Sequence, residues 1–244
     1  MPSIDPLFLL LLLIAEVLGT IGGFGSSMLV MPLAGWFLPF DQALGLTALF
    51  HVFSNAAKML LFRKGVSWHL LLWLGVPAVI GVLFGAQLTV AMDERTLKLA
   101  LGIILVLLGG LLLLREEWQL RPDRRNALLG GTISGILAGI AGTGGAVRGI
   151  TLAAFGLEKN AFVSTSAWID MGVDLSRTVV YAGHGFLTQA VLVYLPAMAV
   201  VSLGGSWLGK LLLQRIPQRA FRRIVLGLVV LMGIIALWQG IVGH

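Results

Sequence analysis

The sequence contains no cysteine, and only 11% of its 244 residues are charged. The absence of thiols excludes disulfides, cysteine nucleophiles and cysteine-ligated metal or iron–sulfur centres. The four histidines form no HxxxH or HxxH pair, so the short histidine spacings of many metal sites are missing too. The scarcity of charge, together with 58% hydrophobic residues and a mean hydropathy of +0.97, excludes a water-soluble enzyme fold.

Long apolar runs are abundant instead. They are continuous, as in residues 7–14, and lack the alternation of β-barrel strands, so the membrane spans must be helices. The first six residues contain no Lys or Arg, so the first run lacks the basic region of a cleaved signal peptide and is expected to remain in the mature protein. Charged residues, glycine and proline divide the chain into eight predicted elements, at 6–38, 41–62, 66–90, 96–114, 126–157, 160–181, 187–212 and 221–241.

The two halves of the chain repeat each other. A shift of about 120 residues superposes the glycine clusters of the two halves: Gly19, Gly22 and Gly25 fall on Gly139, Gly142 and Gly145. A slightly different offset aligns the A-x-x-x-T segments at 43–47 and 161–165. The sequence therefore predicts a single transmembrane domain of two repeats, residues 1–114 and 126–244, joined by a basic cytoplasmic connection at 115–125.

The first element of each repeat is too long for one crossing. About 33 residues at a rise of 1.5 Å would form a helix of roughly 50 Å, against a hydrocarbon core of about 30 Å. A glycine cluster lies in the middle of each, at 19–25 and at 139–145. This pattern predicts two half-length helices that meet at the glycines, as either a tilted broken span or a re-entrant hairpin that returns to its starting side.

Positive charges distinguish these topologies. Lys58, Arg148 and Arg177 fall inside predicted spans, which leaves 14 of the 17 Lys and Arg residues for the loops. If all eight elements cross, 6 lie on one side and 8 on the other; with re-entrant first elements, 12 lie on one side and only Arg95 and Lys98 on the other. Since loops rich in Lys and Arg stay in the cytoplasm, the second arrangement is favoured.

The predicted fold is therefore an all-α polytopic membrane protein with two inverted four-element repeats. Each repeat consists of a re-entrant or broken glycine-rich helix hairpin and three transmembrane helices. The basic loops are expected in the cytoplasm and both termini outside it, in the cell inner membrane. The net charge of +6 is explained by this topology, and no nucleic-acid partner is predicted, because no soluble basic domain is present.

The glycine clusters have the features of an anion site. A helix that begins inside the membrane presents free N–H groups and the positive end of its dipole to the site. Two such breaks brought together by inverted repeats form the architecture of a secondary transporter. The alternative is that the small residues only allow close helix packing. The predicted substrate-binding residues here, with hydroxyls available as helix caps or ligand donors, are Gly22, Gly23, Gly25, Ser26, Ser27, Gly142, Thr143, Gly144 and Gly145.

Two predicted helices carry a polar face within the membrane. In each, three polar residues are spaced by four and then three positions: His51, Asn55 and Lys58 in one, and Asp170, Asp174 and Arg177 in the other. Because these helices correspond in the repeat, both faces are predicted to line one central cavity, with His51 and Asn55 as substrate contacts. Lys58 is expected to extend toward the cytoplasmic surface with Arg63.

Buried carboxylates are the predicted proton-coupling groups, because an ionisable group inside the membrane is costly unless it has a function or a partner. Asp174 and Arg177 are expected to form an ion pair, either structural or functional. Asp170 has no equally close basic partner along its helix, which makes it the better candidate for proton coupling. Glu16 is either a further proton site or a hydrogen-bond acceptor for the unwound backbone.

Arg148 is the residue most closely tied to the substrate. It lies three residues after Gly145, in the first turn of a predicted half-helix, where the dipole disfavours a cation. An anion must offset this charge, either Asp170 or Asp174 in a structural pair or a transported anion. We predict the transported anion, because a guanidinium binds a sulfonate or carboxylate through two hydrogen bonds.

At these motifs the chain resembles the sulfite exporter TauE/SafE family of membrane permeases. The matching segments are 18–25, 30–32 and 64–68 in the first half, and 139–145 and 161–166 in the second. The likeness is looser in the second half, where Leu152 stands in the place of a second Pro32. The resemblance covers nearly the whole chain, and it implies movement of small sulfur-containing or carboxylate anions, commonly export of sulfite or organosulfonates.

Two other functions remain open from the residues. A passive anion channel would use the same site, and an intramembrane enzyme could use His51, Asp170 and Asp174, although this is a weak acid–base constellation. No GxxxxGK[ST] motif occurs, so ATP-driven pumping by this chain is not expected. The predicted partners are the lipid bilayer, a small anion and, if transport is coupled, protons. No cofactor is predicted, and the oligomeric state stays open.

Overall fold

The computed structural model describes residues 5–23, 25–88, 94–114, 120–141 and 144–242, and every regular element among them is helical. The helices are α1 (Pro6–Gly22), α2 (Ser27–Gly35), α3 (Phe40–Leu61), α4 (Trp68–Leu70), a π-helical turn (Leu71–Gly75) that continues into α5 (Val76–Leu88), α6 (Glu94–Leu114), α7 (Arg124–Ala141), α8 (Gly145–Ala154), α9 (Lys159–Gly183), α10 (Gln189–Leu192), α11 (Leu195–Arg215) and α12 (Gln218–Val242). These bounds confirm the predicted all-α class and follow the eight predicted elements.

Both over-long elements are broken as predicted. Asp5 caps the start of α1 through its side chain, and the helix ends at Gly22, followed by the cap residue Gly23, whose φ of 76° is left-handed. Gly25 follows with a φ of 90°, and α2 starts at Ser27. Side chains other than that of glycine rarely adopt such backbone angles, so the glycines allow the chain to stop one helix and start another within a few residues. In the second half, α7 and α8 form the corresponding pair.

The halves exchange equivalent contacts. α1 of the first half packs against α11 of the second, and α7 of the second half packs against α5 of the first. These two pairs are equivalent, because α7 corresponds to α1 and α5 to α11 in the repeat. Glycines allow this close approach: a Cβ atom at Gly205 would lie 2.8 Å from the Cβ of Glu16, and one at Gly81 would lie 2.9 Å from the carbonyl oxygen of Thr132. The corresponding helices α3 and α9 pack against each other, as do α6 and α12.

Helices α3 and α9 run antiparallel. After the end of α3, the backbone N–H of Ser67 donates to the hydroxyl of Thr165, near the start of α9, at 2.9 Å. At the opposite end, a Cβ atom at Gly45 of α3 would lie 2.7 Å from the carbonyl oxygen of Phe186, just after α9. The two helices therefore cross with their directions reversed.

Basic residues from both halves lie at one end of the bundle, which we call the basic end. Lys159 reaches across to the carbonyl oxygens of Leu213 and Ile216, and Lys210 donates to the carbonyl oxygen of Leu61, next to the loop that carries Arg63. Leu120, in the connection between the halves, donates its N–H to the end of α8. Contacts thus join the basic segments around 61–64 and 210–219, and the basic connection at 120–125 contacts the end of α8, a few residues before Lys159.

The surface and the interior have the polarity expected of a membrane protein. Among the described residues, four helices are long and apolar enough to cross a membrane: Phe40–Leu61, Trp68–Leu88, Leu195–Arg215 and Gln218–Val242. Large apolar side chains such as Val200 and Trp238 are about 70% exposed on the outside, whereas charged side chains are buried within. Helix α9 has 25 residues but is more polar, because it carries Asp170, Asp174 and Arg177.

Candidate functional site

The two helix breaks meet a small cavity at the crossing of α3 and α9. Its lining includes Gly25 and Ser27 from one break, Gly144 and Gly145 from the other, and side chains of α3, α8 and α9. The start of α2 and the start of α8 therefore face the same space, as predicted. The space open to the centres of water molecules is about 10 Å³, enough for about one water. In this conformation the described residues leave no room for a larger ion.

Arg148 and Asp170 form a buried ion pair in this cavity. The guanidinium contacts Oδ1 of Asp170, and both side chains are less than a tenth exposed. Ser166, one turn before Asp170, donates to Oδ2 of Asp170 at 3.0 Å and accepts from Nε of Arg148 at 3.4 Å. Arg148 thus lies in the first turn of α8, as predicted, and its partner here is one of the two aspartates considered for a structural pair.

A second ion pair lies one turn further along α9. Nε of Arg177 is 2.8 Å from Oδ1 of Asp174, which confirms the predicted pair. Asn55 of α3 donates to Oδ2 of the same aspartate at 2.6 Å. The separation of Asn55 and Asp174 in sequence matches the repeat offset, so the two helices touch at positions that correspond in the two halves. The polar faces of α3 and α9 therefore meet, as predicted.

Glu16 is the centre of a third buried cluster. Its carboxylate lies 2.8 Å from the ammonium of Lys58 and accepts hydrogen bonds from four hydroxyl groups, which belong to Thr20, Ser26, Ser54 and Ser206. Among the described residues, the polar contacts of Glu16 are therefore with side chains. The expectation that Lys58 extends to the surface with Arg63 is wrong: Lys58 is 1% exposed, because a carboxylate lies within reach inside the bundle.

His51 connects the Glu16 cluster to the cavity. Its Nδ1 lies 2.6 Å from the carbonyl oxygen of Thr47, an acceptor, so this nitrogen carries a hydrogen. Its Nε2 lies 3.0 Å from the hydroxyl of Ser26, and that hydroxyl is 2.6 Å from Oε2 of Glu16. Because Ser26 has a single hydroxyl hydrogen, it donates to either Glu16 or His51 at one time. A hydrogen-bonded chain therefore runs from the cavity wall to Glu16.

The structure brings together most of the predicted site residues. The predicted residues that line the cavity are Gly25, Ser27, His51, Gly144, Gly145, Arg148, Asp170 and Asp174, together with Arg177. Gly22 and Gly23 are buried in the first break, and Ser26 turns its hydroxyl toward Glu16 and makes no helix cap. Gly142 and Thr143 lie outside the described residues. Asn55 contacts the site through Asp174.

Four hydroxyl-bearing contributors were not predicted: Thr20, Ser54, Ser166 and Ser206. Three of them had a spacing that could have predicted the contact, since each stands four residues from a buried charged group on the same helical face: Thr20 from Glu16, Ser54 from Lys58 and Ser166 from Asp170. Ser206 had none, because its contact with Glu16 depends on how α11 packs against α1.

Residues 7–236 match the family model described as Sulfite exporter TauE/SafE. No curated protein matches the chain. The matched range covers both helix breaks and all three buried ion pairs described above. The resemblance read from the glycine clusters and from the segments at 30–32 and 64–68 is therefore confirmed.

Proposed function

The chain belongs to the sulfite exporter TauE/SafE family, and on that premise we propose that it is a secondary transporter that exports a small anion by alternating access. Members of this family are membrane transporters, so the intramembrane enzyme considered from His51, Asp170 and Asp174 is wrong. The proposed substrates are sulfite, an organosulfonate or another sulfur-containing or carboxylate anion.

The observation that carries this proposal is the position of Arg148. Its guanidinium is buried at the start of α8, in a cavity that the start of α2 also faces. Helix N-termini carry partial positive charge, so two such termini and a guanidinium create a site that favours an anion. The proposed substrate contacts are Arg148, His51 and the glycines and hydroxyls of both breaks, with Asn55 at the edge of the site.

The proposed topology is that of two inverted repeats, 1–114 and 126–244, with the connection at 115–125 in the cytoplasm. The antiparallel crossing of α3 and α9 supports it, because these helices would run parallel if all eight elements crossed. The shared basic end supports it as well, because crossing by all eight elements would place Arg63 and Lys159 on opposite sides. We place the basic end in the cytoplasm and both termini outside, in the inner membrane.

Charge balance supports coupling to protons. In the part of the chain that the structure describes, six buried charged side chains form three ion pairs, so the site is neutral when His51 is neutral. An added anion would bring an uncompensated negative charge into a low-dielectric space, which costs several kcal/mol. A proton taken up with the anion removes that charge. Asp170 is the proposed carrier because it lies in the cavity next to the substrate position, and Asp174 and Glu16 are the next candidates.

The small size of the cavity supports a carrier over an open channel, because an open channel needs a continuous path wide enough for the anion, whereas this space holds about one water. The test is thermal stabilisation of purified protein by sulfite, thiosulfate, sulfoacetate, taurine and small carboxylates, followed by flux in proteoliposomes. A ligand that binds only the folded state raises the melting temperature. We expect stabilisation by at least one oxyanion, and accumulation of it when a proton gradient is imposed. Flux that is indifferent to the proton gradient would favour a channel.

A separate substitution tests the proposed role of Asp170 in proton coupling. Asp170→Asn removes the ionisable group and keeps a similar shape, so it is expected to bind the anion but to lose accumulation driven by the proton gradient. Unchanged accumulation in proteoliposomes would move the role to Glu16 or His51, which the Ser26 hydroxyl connects.

A further inference from the structure

The cavity already holds a carboxylate, and it belongs to Asp170. One oxygen contacts the guanidinium of Arg148, and the other accepts a hydrogen bond from Ser166 at 3.0 Å. The second oxygen also lies 3.9 Å from where a Cβ atom at Gly25 would stand, so the carboxylate reaches the helix break of the other half. Asp170 therefore occupies the point at which both halves and the buried guanidinium converge.

We propose that the Asp170 carboxylate stands in the place of the substrate in this conformation, and that the transported species is a small oxyanion that binds Arg148 and Ser166 by displacing it. This inference rests on the proposed transport function. It also narrows the substrate class. Asp170 presents two oxygens on one atom to two different donors, so its replacement carries at least two oxygens on one atom, as a carboxylate, sulfite or sulfonate does. A halide has no second acceptor atom.

The size of the cavity requires displacement. The open space holds about one water, so a sulfite-sized ion does not fit beside the Arg148–Asp170 pair. If Asp170 swings away from Arg148, the incoming anion takes over its contacts with the guanidinium and with the Ser166 hydroxyl. The charged and titratable groups that face the vacated position are then Arg148 on α8, His51 on α3, and Asp174 and Arg177 on α9.

Displacement makes Asp170 a competitor of the substrate. Asp170→Asn removes the competing charge, while its amide oxygen still accepts a hydrogen bond from Arg148, so the variant is expected to fold. Sulfite should then bind this variant at least about tenfold more tightly than wild type, which is one order of magnitude in the dissociation constant. The measurement is the shift in melting temperature with sodium sulfite concentration, at one pH and one ionic strength.

The matched control is Asp174→Asn, which removes the same charge from the same cavity, one helical turn away. The ion pair described for Asp174 is with Arg177, whereas Asp170 contacts Arg148 and Ser166. Asp174→Asn should therefore raise sulfite affinity by less than Asp170→Asn does. Equal gains in both variants would show that net charge alone sets the affinity, and would overturn the displacement. Equal affinity of wild type and Asp170→Asn would overturn it as well.

A second variant tests the oxyanion class directly. Asp170→Ala leaves the carboxylate position empty, so sodium formate and sodium acetate should stabilise this variant more than wild type, whereas sodium chloride should not. Stabilisation by chloride equal to that by formate would overturn the two-oxygen requirement. The two failures give different results. If the proposed transport function is wrong, no anion should stabilise the wild type or any variant. If only the displacement is wrong, anions should still stabilise the wild type.

Discussion

Replacing Lys58 by Met is expected to destabilise the protein strongly, although Lys58 lies outside the proposed anion site. Its ammonium is 2.8 Å from the carboxylate of Glu16, and the two residues are 1% and 0% exposed. Methionine keeps the unbranched apolar stem but removes the charge, which leaves a buried carboxylate without its cation. Such a loss costs about 3–5 kcal/mol. We expect the lower end, about 3 kcal/mol, because four hydroxyls still donate to Glu16.

Removing the carboxylate of the pair is expected to lower the free energy of unfolding further than removing the ammonium does. Glu16→Gln leaves the buried ammonium of Lys58 with neutral acceptors, the Gln carbonyl and the hydroxyl of Ser54 at 2.7 Å, and with no described counter-charge, so we expect about 5 kcal/mol. The double variant Lys58→Met with Glu16→Gln contains neither charge, and the Gln carbonyl can still accept from the surrounding hydroxyls. Its free energy of unfolding is expected within about 1 kcal/mol of wild type. The two single effects are therefore far from additive.

The assay is thermal unfolding in detergent, followed by the fluorescence of the seven tryptophans. For a domain of this size, 1 kcal/mol corresponds to about 2–4 °C, so Lys58→Met should lower the melting temperature by about 6–12 °C and the double variant by less than about 4 °C. Lys210→Met is the matched control. Lys210 lies at the basic end and donates to a backbone carbonyl, so its loss should cost less than about 1 kcal/mol. Equal melting temperatures for Lys58→Met and the double variant would refute the reasoning.

Three further predictions test the site, the topology and the packing. Arg148→Lys should weaken substrate binding in a ligand titration by one to two orders of magnitude, about 1.4–2.8 kcal/mol, because an ammonium lacks the planar pair of donors; unchanged affinity would make Arg148 structural. In this cysteine-free chain, a cysteine introduced at Thr96 or His184 should react with an impermeant reagent outside intact cells, and one introduced at Gln218 should not. His184 is chosen over its neighbour Gly185, because the φ of 78° at Gly185 would strain a cysteine there. Equal labelling at His184 and Gln218 would contradict the inversion. Gly135→Ala should lower the free energy of unfolding by about 1–3 kcal/mol, because the added Cβ would meet the backbone carbonyl of Ala78. The control Gly110→Ala, with open space around it, should be neutral or stabilising by about 1 kcal/mol. Equal effects of the two substitutions on thermal unfolding would contradict the packing.

Helix positions were predictable because the membrane imposes a length on each apolar run. The break between α1 and α2 was predictable for the same reason, since an element spanning 6–38 exceeds the bilayer and contains glycines at the only place where a break fits. The membrane also makes charged residues rare, so Arg148 and Asp170 stood out individually. The sequence did not show that these two residues pair with each other, because that contact depends on how α8 packs near α9.

The prediction for Lys58 failed for a related reason. A lysine near a helix end has two ways to satisfy its charge, the surface or an internal carboxylate, and spacing along α3 does not distinguish them. Glu16 lies on another helix, and only the packing of α1 near α3 brings the two together. The four hydroxyls around Glu16 come from three helices and one break, so no single helical period contains them. Ion-pair partners of this kind are set by tertiary structure.

The way the charges are paired bears on how the halves can move. Each of the three buried ion pairs among the described residues lies within a single half: Glu16 with Lys58 in the first, and Arg148 with Asp170 and Asp174 with Arg177 in the second. Within the buried clusters, the described hydrogen bonds between the halves run from Asn55 to Asp174 and from Ser206 to Glu16. Away from the site, Lys210 and Arg95 also donate to backbone carbonyl oxygens of the other half. Hydrogen bonds to charged groups contribute about 1.5–3 kcal/mol each, and breaking a buried ion pair costs about 3–5 kcal/mol. We therefore expect alternating access to break the hydrogen bonds between the halves. The ion pairs within each half should stay intact, apart from the Arg148–Asp170 pair that the substrate itself replaces.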